Sequence, residues 1–181
     1  MKNSEVEKRK NELLKPYWTE DLHHSLEKLP PKDAKKIVES MDDSEIYIKV
    51  NLRKHQEDYI ADYIEYLWDI SEDAYWKHIK ISLDVEIGLL WSDNMSHFER
   101  MCNYEIPHDV LIKIIDFAID DKSQSKQDFD AIGCVIKAQV ERFARKAEID
   151  EYISTFKEKK KANAKLAISS MIECRCHYQF Y

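Results

Sequence analysis

The chain has 181 residues, of which 44% are hydrophobic and 35% are charged, and its formal net charge is −7. This length and balance indicate a globular protein with a sizeable core and exclude a disordered chain. Only two glycines and four prolines occur, and because tight turns between strands use these residues, their scarcity favours helices over sheets.

No targeting or membrane segment is expected. The N-terminus, MKNSEVEKRK, is charged, no apolar stretch of signal-peptide type follows it, and no run of apolar residues is long enough to span a membrane. The four cysteines show no paired framework spacing, so we expect reduced thiols; they are Cys102, Cys134, Cys174 and Cys176. These features predict a cytoplasmic protein.

Three short helices are predicted at the start of the chain. The first covers residues 3–14, and the second begins at Thr19 and ends before Pro30. Pro31 is suited to the first turn of a third helix, which is expected to run through Met41.

A long helix follows, capped by Asp43 or Ser44 and running to about Ile70. Ser71 is a candidate start for a further helix. Apolar residues then repeat at helical spacing on two faces, which predicts a central, largely buried helix; they are Trp76, Ile79, Leu83, Ile87 and Leu90 on one face, with Ile81, Val85 and Leu89 on the other.

In the second half, residues 96–104 predict a short helix, Pro107 opens another through Ile119, and residues 120–128 predict a polar loop. A strong amphipathic repeat then follows: Phe129, Ile132, Ile136, Val140, Phe143 and Ala147. The last helical region carries a lysine run that is expected to be a solvated face: Lys157, Lys159, Lys160, Lys161 and Lys165. The whole pattern predicts an all-α fold, a single globular domain of about seven or eight helices over residues 1–181.

The clearest functional signal is the window from Glu57 to Asp73, EDYIADYIEYLWDISED, which holds seven acids and no Lys or Arg. Its charge of −7 therefore equals that of the whole chain, so the acidity is local. On a helix, five acids fall within roughly 80° of arc: Asp58, Asp62, Glu65, Asp69 and, if the helix continues through Ser71, Glu72.

This acidic ridge is predicted to bind a basic partner. Acids at i,i+4 spacing destabilise a helix by ~0.2–0.5 kcal/mol per pair, and a basic partner would relieve that repulsion. Tyr63 and Tyr66 flank the ridge and suit a protein interface, because tyrosine combines a large contact area with a polar tip. The predicted partner-binding residues are Asp58, Asp62, Tyr63, Glu65, Tyr66, Asp69 and Glu72.

Two short patterns resemble metal sites, but ordinary roles explain them better. His108-Asp109 has the form of an HD-type metal pair, for which His78 and Asp150 are the candidate further ligands. The dipeptide is common by chance, and Asp109 in the first turn of a helix is favourable to the helix dipole. The C-terminal Cys174, Cys176 and His177 lack the second ligand pair of a zinc site.

No phosphate-binding, dinucleotide-binding, zinc-protease or nucleophile-elbow motif is present. We therefore expect no enzyme activity, no catalytic residue, no metal and no cofactor. No nucleic-acid partner is expected either, because the chain is not basic outside its lysine run.

The stripe DYIADYIEYLWDISED, in a small, acidic, all-helical chain without a catalytic motif, resembles the immunity proteins that bacteria pair with secreted toxins, including those of contact-dependent growth inhibition. The resemblance is one of class and transfers no individual residue. It implies a cognate toxin partner, often a basic nuclease, whose active site or substrate groove is blocked. We therefore expect a binding protein that neutralises a basic partner, a nuclease toxin. The alternatives are a helical adaptor or regulatory protein with a non-toxin partner, and a metal-dependent HD-type hydrolase.

Overall fold

A computed structural model of the chain describes residues 3–14, 19–46, 57–85, 95–119 and 126–173, with their side chains except at 19–21, 57–62, 84–85, 95–96 and 126–129. Throughout these residues the regular structure is helical and no strand occurs, so the all-α prediction is confirmed. The chain divides into two compact units, Met1–Val85 and Glu86–Tyr181. A single domain over the whole chain stays a prediction.

The described part of the first unit contains five helices and a short helical turn at residues 43–46. They are α1 (Asn3–Leu14), α2 (Thr19–Glu27), α3 (Pro31–Glu39), the turn at residues 43–46, α4 (Glu57–Ile70) and α5 (Glu72–Val85). Residues 47–56, through which the predicted long helix would run to Ile70, lie outside the described ranges. Pro31 occupies the first turn of α3, as predicted, and α3 ends before Met41.

The turn at residues 43–46 is capped by Asp42 and not by Asp43 or Ser44. The carboxylate of Asp42 accepts the N–H of Glu45 at 2.9 Å, and the carboxylate of Glu45 accepts the N–H of Asp42 at 2.8 Å. This reciprocal pair is a capping box, which satisfies two backbone donors that the first turn of a helix leaves without partners.

In the first unit, α4 packs against α2, α3 and α5, and α1 packs against α2 and α3. The core is made of side chains exposed by 2% or less, among them Leu22, Leu26, Ile37, Ile64, Leu67, Tyr75, Ile79 and Leu83. The prediction of a largely buried helix is confirmed for α5 through Leu83. The predicted continuation through Ile87 and Leu90 lies outside the described residues.

The described part of the second unit contains another five helices: α6 (Met95–Asn103), α7 (His108–Ile119), α8 (Lys126–Phe143), α9 (Lys146–Ser154) and α10 (Glu158–Glu173). Helix α8 packs against α6, α7 and α10, and its Ile132 and Ile136 are fully buried. Helices α8 and α10 are in contact at Gly133, where a Cβ would lie at an ordinary van der Waals distance of 3.5 Å from the side chain of Met171.

Two predicted boundaries in this unit are wrong. Helix α8 begins at Lys126, inside the segment expected to be a loop. It ends at Phe143 because Ala144 adopts a left-handed conformation with φ of 56°, and Ala147 therefore belongs to α9. The described residues form ten helices and the short turn, more than the seven or eight predicted, because breaks such as that at Ala144 fall inside a continuous periodic pattern without proline or glycine.

Candidate functional site

The acidic window forms two helices, α4 and α5, which meet at Ser71. On α4, Ile64 and Leu67 are buried, whereas Asp69 is exposed and Glu65 is half-buried. Asp69 follows Leu67 by two positions, which corresponds to about 200° around a helix. These two acids therefore lie on the side of α4 away from its core contacts, as their spacing predicts.

Ser71 interrupts the helix, so Glu72 does not extend the ridge of α4 but opens α5. The Oγ of Ser71 accepts the N–H of Ala74 at 3.3 Å and donates to the carboxylate of Glu39 at 2.7 Å. A serine in this position caps the start of a new helix. Glu72 is exposed there beside Asp73, so acidic charge continues across the junction.

Tyr63 is a core residue in the structure, whereas the sequence predicts that it flanks the ridge and contacts a partner. Its side chain is 2% exposed, and its hydroxyl lies 3.1 Å from Nε2 of His78. Because Nδ1 of His78 lies 2.7 Å from the carbonyl of Ala74, which only accepts, Nδ1 carries the proton and Nε2 accepts from Tyr63. A side chain that is enclosed in this way is not available to a partner, so Tyr63 is removed from the candidate surface.

Tyr66 packs mainly against α2. Its ring lies 5.0 Å from that of His23, centroid to centroid, and burial raises the pKa of its phenol, as does the negative charge of Glu27. Glu27 and His23 are themselves 3.6 Å apart. Tyr66 is half-buried, so it offers a partner only part of its ring.

The remaining acids define what we call the acidic surface: Glu65, Asp69, Glu72 and Asp73. Asp58 and Asp62 precede them on α4, but their side chains lie outside the described residues. The backbone of α4 is helical at both positions, so the spacing that places them on the ridge is present. Their part in the site stays a prediction.

Several carboxylates elsewhere in the first unit are paired with bases. The pairs are Arg9–Glu12 at 3.1 Å, Lys10–Glu7 and Lys10–Glu45 at 3.2 Å, Lys77–Asp43 at 3.4 Å and Lys35–Glu39 at 3.6 Å. Asp69, Glu72 and Asp73, in contrast, form no ion pair within the described part of the chain. At these three acids the acidic surface thus carries negative charge that no described residue neutralises through an ion pair.

Aromatic side chains hold the junction beneath the acidic surface. Trp68 of α4 packs edge-to-face on Tyr75 and Trp76 of α5, with centroid distances of 4.9 and 6.0 Å. The indole N–H of Trp76 donates to the carboxylate of Glu72 at 3.1 Å. Because these rings fix α4 against α5, the acids are presented on a supported surface and not on a free loop.

The His108-Asp109 pair opens α7 in the second unit. Nδ1–H of His108 donates to the carboxylate of Glu148, which also accepts two hydrogen bonds of 2.6 Å from the guanidinium of Arg145. Chiefly because of the bonds from Arg145, the pKa of Glu148 falls to about 2. His108 is therefore part of a polar cluster that joins the starts of α7 and α9.

The other residues considered for a metal site are engaged elsewhere. His78 is buried in the first unit with hydrogen bonds at both ring nitrogens, and Asp150 pairs with Lys146. Over the described ranges, no three His, Cys, Asp or Glu side chains are grouped so that they could hold a metal ion. Cys174, Cys176 and His177 lie outside those ranges.

Among the helices that the structure describes, none combines the length and the apolar composition that crossing a membrane requires. Comparisons of the chain with protein-family models, with curated proteins and with solved structures found no match. What the chain does is therefore inferred from its own surfaces.

Proposed function

We propose that the chain is a binding protein that neutralises a basic protein partner through the acidic surface of its first unit. The observation that supports this best is that Asp69, Glu72 and Asp73 are exposed and form no ion pair among the described residues, in a unit where several other carboxylates are paired. Clustered charge of one sign steers an oppositely charged partner and is neutralised when the partner binds.

Asp69 provides the most specific support. Glu72 and Asp73 lie in the first turn of α5, where negative charge interacts favourably with the helix dipole. Asp69 lies in the last turn of α4, where negative charge is unfavourable and where no basic residue compensates it. Helix stability therefore accounts for two of these acids but not for Asp69, whose position is explained by a basic partner.

The partner class that we propose is a nuclease toxin. Nucleases bind phosphates and so present basic clefts, and the likeness of this chain to bacterial immunity proteins implies a toxin partner. An adaptor or regulatory role with a non-toxin partner would use the same surface. The two roles differ in what happens to the partner, because an immunity protein abolishes its partner's activity on binding.

The test uses the product of the gene directly upstream, where a cognate toxin is expected. The surface variant is Asp69→Lys with Asp73→Lys, and the control is Glu151→Lys with Glu173→Lys, two exposed acids of the second unit with the same change in net charge. We expect the surface variant to lose about tenfold or more in affinity for each broken interfacial ion pair and to release nuclease activity. The control should bind like the wild type, and added salt should slow association because it screens charges over ~8 Å.

Several outcomes would contradict the proposal. Equal weakening by both double variants would mean non-specific charge attraction, and unchanged affinity of a folded surface variant would leave the acids as a solvated face. A partner that binds through the acidic surface but keeps its activity would establish the adaptor role instead. Circular dichroism of each variant checks that the helices are intact.

A further inference from the structure

A basic pocket lies in the second unit, where α7, α9 and α10 pack against one another. Its volume is about 800 Å³. Its lining includes Asp116 and Ile119 of α7, Tyr152 of α9, and the lysines Lys157, Lys159 and Lys160. The sequence predicts that the lysine run is a solvated helix face. In the structure, three lysines of this run line the pocket instead.

The wall of the pocket is held by a chain of contacts. The hydroxyl of Tyr152 donates to the carboxylate of Asp116 at 2.7 Å, and its ring packs edge-to-face on Phe156 with centroids 5.0 Å apart. The ammonium of Lys160 lies 4.3 Å from the centroid of the Phe156 ring. Lys160 is thereby placed at the pocket by an aromatic contact and not by a carboxylate.

The charges around the pocket are unbalanced. Within the described residues, Lys157, Lys159 and Lys160 form no ion pair, whereas the neighbouring Lys161 pairs with Glu158 at 3.9 Å. Three lysines against the single carboxylate of Asp116 leave a local charge of +2 in a chain whose formal net charge is −7. A site that concentrates unpaired cations inside an acidic protein is suited to an anion.

The size and walls of the pocket indicate what kind of anion fits. Clefts that hold small ligands measure ~300–1,000 Å³, and lysine ammonium groups bind phosphates as point charges. Ile119 and the ring of Tyr152 add an apolar wall for an organic group. A long nucleic acid would also meet the acids of the rest of the chain, whereas a small ligand experiences mainly charges within a screening length of ~8 Å.

We infer that this pocket binds a small phosphorylated ligand of nucleotide size, with its phosphates on Lys157, Lys159 and Lys160 and its organic group against Tyr152 and Ile119. The pocket is built from residues of the second unit alone. The inference is therefore independent of the proposed toxin-binding surface.

The test is calorimetric titration of the full chain with ADP, pyrophosphate and adenosine. We expect ADP and pyrophosphate to bind and adenosine alone not to. Lys157→Gln with Lys159→Gln should weaken ADP about tenfold or more, because each ammonium–phosphate contact is a charge-assisted hydrogen bond. The matched control, Lys161→Gln with Lys165→Gln, removes the same charge from the same region without altering the pocket lining, so it should change affinity less than about twofold.

All four lysines are exposed or half-exposed, so both double variants should fold, and circular dichroism checks this. The inference is overturned if neither ADP nor pyrophosphate binds at millimolar concentration, or if both double variants weaken ADP equally. A single-stranded oligonucleotide of about 20 nucleotides that binds more tightly than ADP and depends on Lys157 and Lys159 would identify a nucleic-acid site instead of a small-ligand pocket.

Discussion

In the first unit Tyr63 and His78 form a buried neutral pair, whereas in the second unit Arg145 and Glu148 form a charged one. Burial lowers the pKa of His78 to about 4 and raises that of Tyr63, so both are neutral near pH 7. Glu148 has a pKa lowered to about 2 through its hydrogen bonds from Arg145, so it stays charged. Desolvation thus selects the neutral forms at one site, while hydrogen bonding selects the charged form at the other.

The two pairs also differ in how much structure they connect. The hydroxyl of Tyr63 makes one strong hydrogen bond, to His78. Arg145, in contrast, binds Glu148, the carbonyl of Ile106 and the amide oxygen of Gln139. Removing the charged side chain should therefore release several polar groups at once, which is costly inside a protein.

The largest expected effect on stability is that of removing the Arg145 side chain, which tests how much structure the charged pair connects. Arg145→Ala should lower the free energy of unfolding by about 3 kcal/mol, because Glu148 loses its main hydrogen-bond donor and the buried oxygens of Ile106 and Gln139 each lose one donor. Lys146→Ala is the control, since it breaks only the exposed pair with Asp150 and should cost less than about 0.5 kcal/mol. Urea unfolding at pH 7, followed by circular dichroism, measures both. A loss below about 1 kcal/mol for Arg145→Ala would mean that the charged cluster adds little to stability.

Acidification should separate the two sites. His78 has a folded pKa of about 4 against an ordinary 6.5, so the unfolded chain takes up a proton that the folded chain excludes. Its contribution to the free energy of unfolding is complete above pH 6.5 and is lost progressively as the pH falls towards 4. At pH 5 the loss amounts to about 2 kcal/mol. Glu148 has a folded pKa of about 2 against 4.5, so its contribution is lost only between pH 4.5 and 2.

Hydrogen exchange, corrected for the intrinsic effect of pH, measures this separation. Peptides from α5 should lose protection between pH 6.5 and 4, whereas peptides from α9 should keep theirs until the pH falls below 4.5. In the variant His78→Gln, the slope of α5 protection against pH should become shallower between pH 6.5 and 4. An unchanged slope in that variant would assign the effect to another group.

The smallest expected effect concerns the backbone where α8 ends. Ala144 has a φ of 56°, a conformation that costs an alanine roughly 1 kcal/mol relative to glycine. Ala144→Gly should therefore raise the free energy of unfolding by up to about 1 kcal/mol and leave the cluster around Arg145 intact. Glycine at the exposed helical position Ala162 is the control and should be destabilising by a similar amount. Destabilisation by Ala144→Gly would show that the left-handed conformation is not strained.

Several features were predictable from the sequence because their causes are local. The starts of α1, α2, α3 and α7 were predicted from polar residues and prolines close to each start. The outward position of Asp69 was predictable as well, since the helical period alone places it about 200° from Leu67. The break at Ser71 was a candidate as well, because a serine followed by Glu72 and Asp73 has the form of a helix start. No such signal marked Ala144, which does not interrupt the periodic pattern around it.

Only the tertiary structure decided the roles of the side chains beside the ridge and around the pocket. Tyr63 and Tyr66 look alike in the sequence, but Tyr63 meets His78 in the core while Tyr66 lies against His23. The basic pocket joins lysines of α10 to Asp116 and Tyr152, which lie on two other helices. The helical period determines which face of its own helix a residue occupies. Whether that residue is buried or free to bind depends on which other helices pack against that face.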